Sequence, residues 1–476
     1  MIPAMHRFVT SLLLALLVAV PAAADPVDDY VRTVMAAKKI PGLSIAVLRD
    51  GKIVKSTGYG FANLEHDVAA TPDTIYQSGS VGKQFTAAGI LMLAEDGKLG
   101  LDDRLSKYFP DGPSSWHRIT IRHLLTHTSG LKDYGSDEID FRKDYTEDEY
   151  LEVIKRMPIE FEPSTQWSYS NTGYLLLGIL TSRLAGKHWS EFLAERLFAP
   201  LGMTTMRVIS ERDLVMHRAA GYELDGKGEV KNQEWVAPSA NQCADGALYF
   251  SVKDLAAWDA ALNARTFLKA ESFEAWWTPV SLANGTTFPY GFGWGIEEQR
   301  GYRLIEHGGS WQGFRAAIAR YVDQGLTVVV LSNLAQAQPE IMAHEIAGLL
   351  EPSLRRPEAG GNRSDPDADR TARLRDLLEA WADYRVVPGM AQGLAQTASG
   401  SGREAYGRAE TARRLAAMTG FRFLGEDDLS ARPVAMYGER IERILYYALD
   451  TKDSRHAYRF RVSGDGRVVA FDSEER

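Results

Sequence analysis

Cysteine is almost absent from this 476-residue chain: Cys243 stands alone, so no internal disulfide can form. It lies in "NQCADGALYF" and reads as a small buried hydrophobe. A basic surplus is lacking too. Lysine and arginine number 54 against 63 acidic residues, a formal net charge of −9, which argues against nucleic acid and anionic membrane surfaces as partners. Long apolar runs are lacking except at the start, in "MIPAMHRFVTSLLLALLVAVPAAADP". There the uncharged stretch of residues 8–20 is shorter than the roughly 18 to 20 residues of a spanning helix. Arg7 precedes it, and Pro21, Ala22 and Ala24 follow, the pattern of a cleavable secretory signal. Residues 1–24 are therefore expected to be removed from an exported chain, periplasmic or secreted, with no membrane span after cleavage. No cysteine near Ala24 offers a lipid attachment point.

Two hydrolase signatures are also missing. No Gly-x-Ser-x-Gly elbow occurs, which counts against an α/β-hydrolase. In "WHRITIRHLLTH", His117, His123 and His127 gather, and the last two have the i, i+4 spacing of metal ligands on a helix. Leu124 stands where a His-Glu-x-x-His motif has its general base. Structural histidines are expected there, with no metal and no cofactor.

What is present alternates in period. "VDDYVRTVMAAKK" has helical spacing, and "LSIAVLRDGKIVKSTGYG" gives two strands around an Asp50-Gly51 turn. From about residue 85 to 200 helical patterns dominate, broken by "FPDGPSS" and "EFEPSTQ". Strand patterns return in "YGFGWGIEEQRGYRLIEHGG", "FRAAIARYVDQ" and "LTVVVLSNL", turned at Arg300-Gly301 and Gln324-Gly325, before a helix in "PEIMAHEIAGLL". The economical fold class is α+β: an antiparallel sheet joining the early hairpin to the late strands, flanked by terminal helices, with a mostly helical insertion. A cleft between sheet and helices would be the natural site. Residues 25–351 form this domain. Residues 352–369, rich in Pro, Gly and charge, read as a linker, and 370–476 as a small α+β C-terminal domain with an Asp465-Gly466 hairpin turn. No internal repeat is found.

The chemistry begins at "QSGSVGKQFTAAGILMLAEDGKL". Ser80 and Lys83 stand three apart at the head of a run in which Phe85, Ala88, Met92 and Leu93 recur at helical spacing, so the lysine can approach the hydroxyl near the positive end of a helix dipole. Taken alone, the four residues read first as a helix cap and a solvated lysine. A second Ser-x-x-Lys, Ser129 and Lys132, lies in the turn-like "HTSGLKDYG". Downstream, "WSYSNTGYLLLG" carries Tyr169 and Asn171 before an apolar helix, residues suited to relaying a proton and holding an amide, or to packing and capping. "EHGGSWQGF" sets His307 before Gly308 and Gly309, which permit close backbone approach or merely begin a glycine-rich strand.

These pieces, in this order and separation, resemble the serine β-lactamase and penicillin-binding family, in the branch that holds class C β-lactamases, D-alanyl-D-alanine carboxypeptidases, D-aminopeptidases and related esterases. The likeness covers roughly residues 30–350 and includes "PGLSIAVLRDGKIV", "HLLTHTSGL" and "DGALYFSVKDLAAW". It implies Ser80 as acylated nucleophile, Lys83 as proton acceptor, Tyr169 as relay to the leaving group and Asn171 as binder of the substrate amide. It further implies His307, Gly308 and Gly309 as the third motif, with the backbone N–H groups of Ser80 and Ser310 as oxyanion hole. His307 replaces the lysine that class C β-lactamases carry, which weakens a fixed cation for a substrate carboxylate. The expected function is thus a peptidase or esterase of the carboxypeptidase or D-aminopeptidase kind, acting on a small-molecule or peptide substrate. A class C-like β-lactamase is the first alternative, a non-catalytic sensor of cell-wall fragments or β-lactams the second. The family's usual double glycine is altered to Asp245-Gly246, without an assignable role for Asp245.

Overall fold

The computed structural model describes residues 25–357, 363–367, 369–398, 403–431 and 433–475. The expected signal segment, residues 1–24, lies outside them, as does part of the expected linker. Seven antiparallel strands form the main sheet, in the order Gly295–Gln299, Tyr302–Trp311, Phe314–Tyr321, Leu326–Ser332, Gly42–Arg49, Lys52–Asn63 and Val68–Ala69. The early hairpin thus joins the late strands, with Ile45 opposite Val330. Its turn is tight because Asp50 and Gly51 both take positive φ, 49° and 73°.

The two central strands are buried nearly end to end, since both faces of the sheet are covered. Leu43, Ile45 and Val47 point to one side, where Val27 and Val31 of helix Pro26–Lys38 and Met342, Ala343 and Ile346 of helix Pro339–Leu350 meet them. Ala46 and Leu48 point to the other, into the large core that holds Leu255 and Trp258 of helix Val252–Ala264 and the helical region. In that region residues 83–93 of helix Lys83–Glu95 and residues 172–182 of helix Asn171–Ala185 are all buried. An apolar surface all round lets each helix pass through the core rather than lie on it. Their N-terminal ends meet beside the strand Tyr302–Trp311, which fixes the place of the site.

Residues beyond 370 build a second sheet. Strands Met418–Asp428, Glu439–Thr451, Arg455–Ser463 and Val468–Glu475 pair antiparallel in sequence order, and Val434–Met436 pairs with Glu439–Thr451. Helix Arg370–Ala382 lays Leu374, Leu377, Leu378 and Trp381 into its core against Tyr447, Tyr458 and Phe460. The α+β class read from the sequence is the one observed. Among the described residues no helix is long and apolar enough to cross a membrane.

Candidate active site

Ser80 sits on the short 3-10 turn Gly79–Gly82, which runs directly into helix Lys83–Glu95. It does not cap that helix. Its hydroxyl lies 3.1 Å from Lys83 Nζ. Lys83 is not the solvated lysine of the bland reading: it is 0% exposed. A buried amine requires partners, and Nζ also donates to Asn171 Oδ1 at 2.7 Å and to the Asp245 carbonyl at 2.6 Å. Three polar partners thus surround Nζ, the Ser80 hydroxyl among them. The rings of Tyr169 and Tyr174 lie with their centroids 4.9 and 5.4 Å from Nζ, within cation–π reach.

The Asn171 side chain is fixed from both ends. Its oxygen takes Lys83, and its Nδ2 donates to Asp133 Oδ2 at 3.0 Å. Asp133 Oδ1 also accepts the backbone N–H groups of Asn171, at 2.5 Å, and Thr172, at 3.2 Å. These are the first N–H groups of helix Asn171–Ala185, so one carboxylate both steers the amide and occupies the helix start. Burial raises the Asp133 carboxyl above its ordinary value, against those N–H donors and the Lys83 charge. Asp245 likewise serves twice: its carbonyl takes Lys83, and its carboxylate accepts the Tyr134 hydroxyl at 2.6 Å. Burial, reinforced by that carboxylate, drives the Tyr134 phenol far up, which keeps it a donor.

The third motif lies on the strand Tyr302–Trp311, pressed onto the Ser80 turn. A Cβ at Gly309 would fall 2.1 Å from the Ser78 carbonyl oxygen and 3.1 Å from the Ser80 nitrogen, and one at Gly79 would fall 2.3 Å from the Ser310 nitrogen. Only glycine at both places allows the backbones of Ser80 and Ser310 to come together. Gly79 also takes a positive φ of 49°. Gly308 faces away, where a Cβ would meet the Glu340 carboxylate at 1.9 Å. His307 is buried with both ring nitrogens engaged. The Gly308 carbonyl, 2.6 Å from Nδ1, can only accept, so Nδ1 carries the proton. In the neutral ring Nε2 is then the acceptor for the Tyr290 hydroxyl at 2.9 Å. Burial, aided by the Lys83 charge, lowers the His307 pKa to about 4, so near neutral pH this position carries no cation.

The Tyr169 ring centroid is 4.3 Å from that of His127 and 6.3 Å from that of His307. His127 has left the helix that its spacing suggested: helix Ile121–Leu125 ends before it, and its φ is +59°. Its Nδ1 accepts the Ser170 N–H at 3.1 Å and so braces the segment carrying Tyr169 and Asn171. His123 Nδ1 accepts the Thr120 N–H and its Nε2 meets Ser164 Oγ at 2.8 Å. Among the described residues no three acidic, histidine or cysteine side chains cluster to hold a metal. In the second Ser-x-x-Lys pair, Ser129 Oγ accepts the Leu131 N–H while Lys132 turns to Glu138, so the two are not a couple.

The structure therefore gathers Ser80, Lys83, Tyr169 and Asn171 at the N-terminal ends of two buried helices, with His307, Gly309 and Ser310 along the facing strand. Sequence reasoning missed Asp133, Tyr134, Tyr290 and the bracing role of His127. Asp245 was legible only as an oddity, and nothing local marks Asp133.

A family model described as Beta-lactamase matches residues 27–351. A penicillin-binding protein of Bacillus subtilis is 31% identical over 307 residues, covering 61% of this chain and 67% of its own. A D-aminopeptidase of Brucella anthropi is 30% identical over 314 residues, covering 64% of this chain but only 58% of its own length. Among solved structures, an octameric penicillin-binding protein homologue from Pyrococcus abyssi aligns over 94% of this chain and 95% of its own, with a TM-score of 0.62 and 23% identity, a likeness of fold.

Proposed function

Because the chain belongs to the β-lactamase family, we propose that it is an exported serine hydrolase that opens an ester or amide bond through an acyl-enzyme on Ser80. The observation that carries this reading is the buried Lys83 amine, 3.1 Å from the Ser80 hydroxyl and held there by Asn171 and Asp245. The Nζ lone pair takes the Ser80 proton as Oγ attacks the substrate carbonyl, and the oxyanion develops toward the N–H groups of Ser80 and Ser310. Collapse of that intermediate breaks the bond to the leaving group, which takes a proton by way of Tyr169. Water then attacks the acyl carbon, and Ser80 Oγ leaves and regains its proton. Asn171 binds the substrate amide in this scheme. The hydrolase domain is residues 25–351, joined by the linker 352–369 to the C-terminal domain.

Peptidase or esterase action is favoured over β-lactamase action by His307. Its two nitrogens are occupied and the ring is neutral, so it offers no cation to a substrate carboxylate. Similarity to a D-aminopeptidase supports the same side. The test is a panel of a short-chain ester, a chromogenic cephalosporin, a D-Ala-D-Ala peptide and an N-terminal D-residue amide, each run beside Ser80→Ala. Turnover of the ester or the D-amide, lost in Ser80→Ala, is the expected result. Efficient cephalosporin turnover instead would make the protein a β-lactamase. Absence of both turnover and acylation would make it a sensor.

A further inference from the structure

The aromatic path from Tyr169 does not end within the family's domain. The Trp167 ring lies 6.4 Å from that of Tyr169 and 5.7 Å from that of Tyr290, and it stacks on Phe288 with centroids 3.8 Å apart and planes at 9°. Phe288 in turn meets Tyr437 edge-on, at 5.4 Å and 82°. Tyr437 belongs to the C-terminal unit. Met436 pairs with Glu439, so Tyr437 and Gly438 are a two-residue hairpin turn, and both take positive φ, 52° and 78°. Such a turn favours Asn, Asp or Gly at its first position, and an aromatic residue there is conformationally disfavoured. The turn is also docked: the Gly438 N–H donates to Thr287 Oγ1 at 3.2 Å, and Gly393 packs beneath Tyr437, where a Cβ would come within 3.1 Å of the tyrosine's own. A bulky ring held in an unfavourable backbone conformation, at the end of a continuous aromatic wall, points to a use for the ring.

We propose that Trp167, Phe288 and Tyr437 form a leaving-group subsite for an uncharged apolar or aromatic group, with the C-terminal unit supplying its outer wall. This deepens the hydrolase reading and rests on it, because Tyr169 is the residue assigned to the leaving-group proton and the wall continues from it. The wall offers aromatic surface, and His307, at its inner end, is saturated by Tyr290 and Gly308. A leaving group that is flat and uncharged fits this surface, and one bearing a free carboxylate does not. Tyr437 is then a specificity-determining residue outside the segment that the family model matches.

The test uses the full chain and two esters that share an acetyl group, methyl acetate and 2-naphthyl acetate, compared by kcat/KM so that acylation is read. Tyr437→Asn removes the ring yet suits the turn, so the melting temperature is expected to hold. Its kcat/KM for the naphthyl ester should fall roughly five- to tenfold, with the methyl ester unchanged within about twofold. Phe288→Leu should show the same selective loss, and the double variant should lose little more than either single one. Tyr437→Phe should keep the preference. An unchanged ratio of the two esters in Tyr437→Asn, or an equal loss on both, overturns the subsite while leaving the hydrolase intact. No turnover of either ester by the unaltered protein overturns the subsite, and the hydrolase reading falls with it only if the D-residue amide is also left intact and Ser80 is not acylated.

Discussion

Asp133 illustrates how much one side chain can decide. It receives the Asn171 amide and the first two N–H groups of the Asn171 helix, so it sets where Asn171 presents its oxygen to Lys83. Asp133→Ala is expected to lower kcat on the order of 100-fold through misplacement of a binding and positioning group. The loss of acceptors at the helix start should cost about 1 kcal/mol of stability. Steady-state rates beside a urea melt separate the two effects, and a variant with full activity would show that Asn171 needs no second tether. Lys83→Met tests the proposed base directly. Acylation of Ser80 should slow at least about 100-fold, read with a fluorophosphonate, and unchanged labelling would strip the lysine of that role. The histidines set a pH dependence. Burial holds His307 and His123 at about 4, below the ordinary 6.5. Between those values the unfolded chain binds protons that the folded chain refuses, so the stability these two rings contribute is full above pH 6.5 and is lost as pH falls toward 4, while the buried Glu340 carboxyl, raised to about 7, works in the opposite direction. Measured from pH 7.5 down to 4.5, the urea midpoint of His307→Gln should rise relative to that of the unaltered protein as pH falls. An identical pH course in the variant would mean that His307 does not titrate as its burial requires.

At the scale of elements, the site is a seam where a strand is pressed onto a helix start. Gly309→Ala puts a methyl group 2.1 Å from the Ser78 carbonyl oxygen, so the strand or the turn must move. The expected result is a folded protein whose kcat drops about 100- to 1,000-fold as one of the proposed oxyanion donors is lost. Far-ultraviolet circular dichroism and kcat measured together check this, and a normal kcat would show the donors lie elsewhere. Much of this seam could be read in advance. Period-two alternation marked the strands on both sides of the Asp50-Gly51 turn, apolar spacing marked the helix behind Ser80, and glycines marked the close approach at Gly309. The rest left no local trace. Asp133 meets a helix start 38 residues away, and Lys83 meets a carbonyl 162 residues away. Such contacts are made by the closed fold and not by any pattern within a window of sequence. His123 and His127 show the converse: an i, i+4 spacing that suggested one helix is broken by a residue at positive φ.

Across the whole molecule, the C-terminal unit is fastened to the edge of the main sheet by charge. Arg300 of the main domain pairs with Asp427 at 2.6 Å, and Arg356 with Glu474 at 2.9 Å. The deepest link is Arg461, whose side chain is 4% exposed and lies 3.3 Å from Glu298, itself 2% exposed, on the edge strand Gly295–Gln299. Asp472 also takes Arg461, but keeps Arg459 as a second partner at 2.7 Å. Glu298 also accepts the Gly301 N–H at 3.0 Å, and Arg461 reaches the neighbouring Glu297 at 3.5 Å. Arg461→Met therefore removes the ion-pair partner of Glu298 and the contact to Glu297 together, and breaking a buried pair typically costs about 3–5 kcal/mol. Attraction between buried charges only partly offsets the cost of taking both out of water, so replacing both with apolar residues should restore most of the loss. The expected order of urea midpoints is unaltered protein, then Arg461→Met with Glu298→Leu close behind, then Arg461→Met alone well below. If Arg461→Met alone melts with the unaltered protein, the pair does not bind the two units. If the double variant is as unstable as the single one, packing around Arg461 or the charge left on Glu297, rather than a stranded Glu298, carries the link.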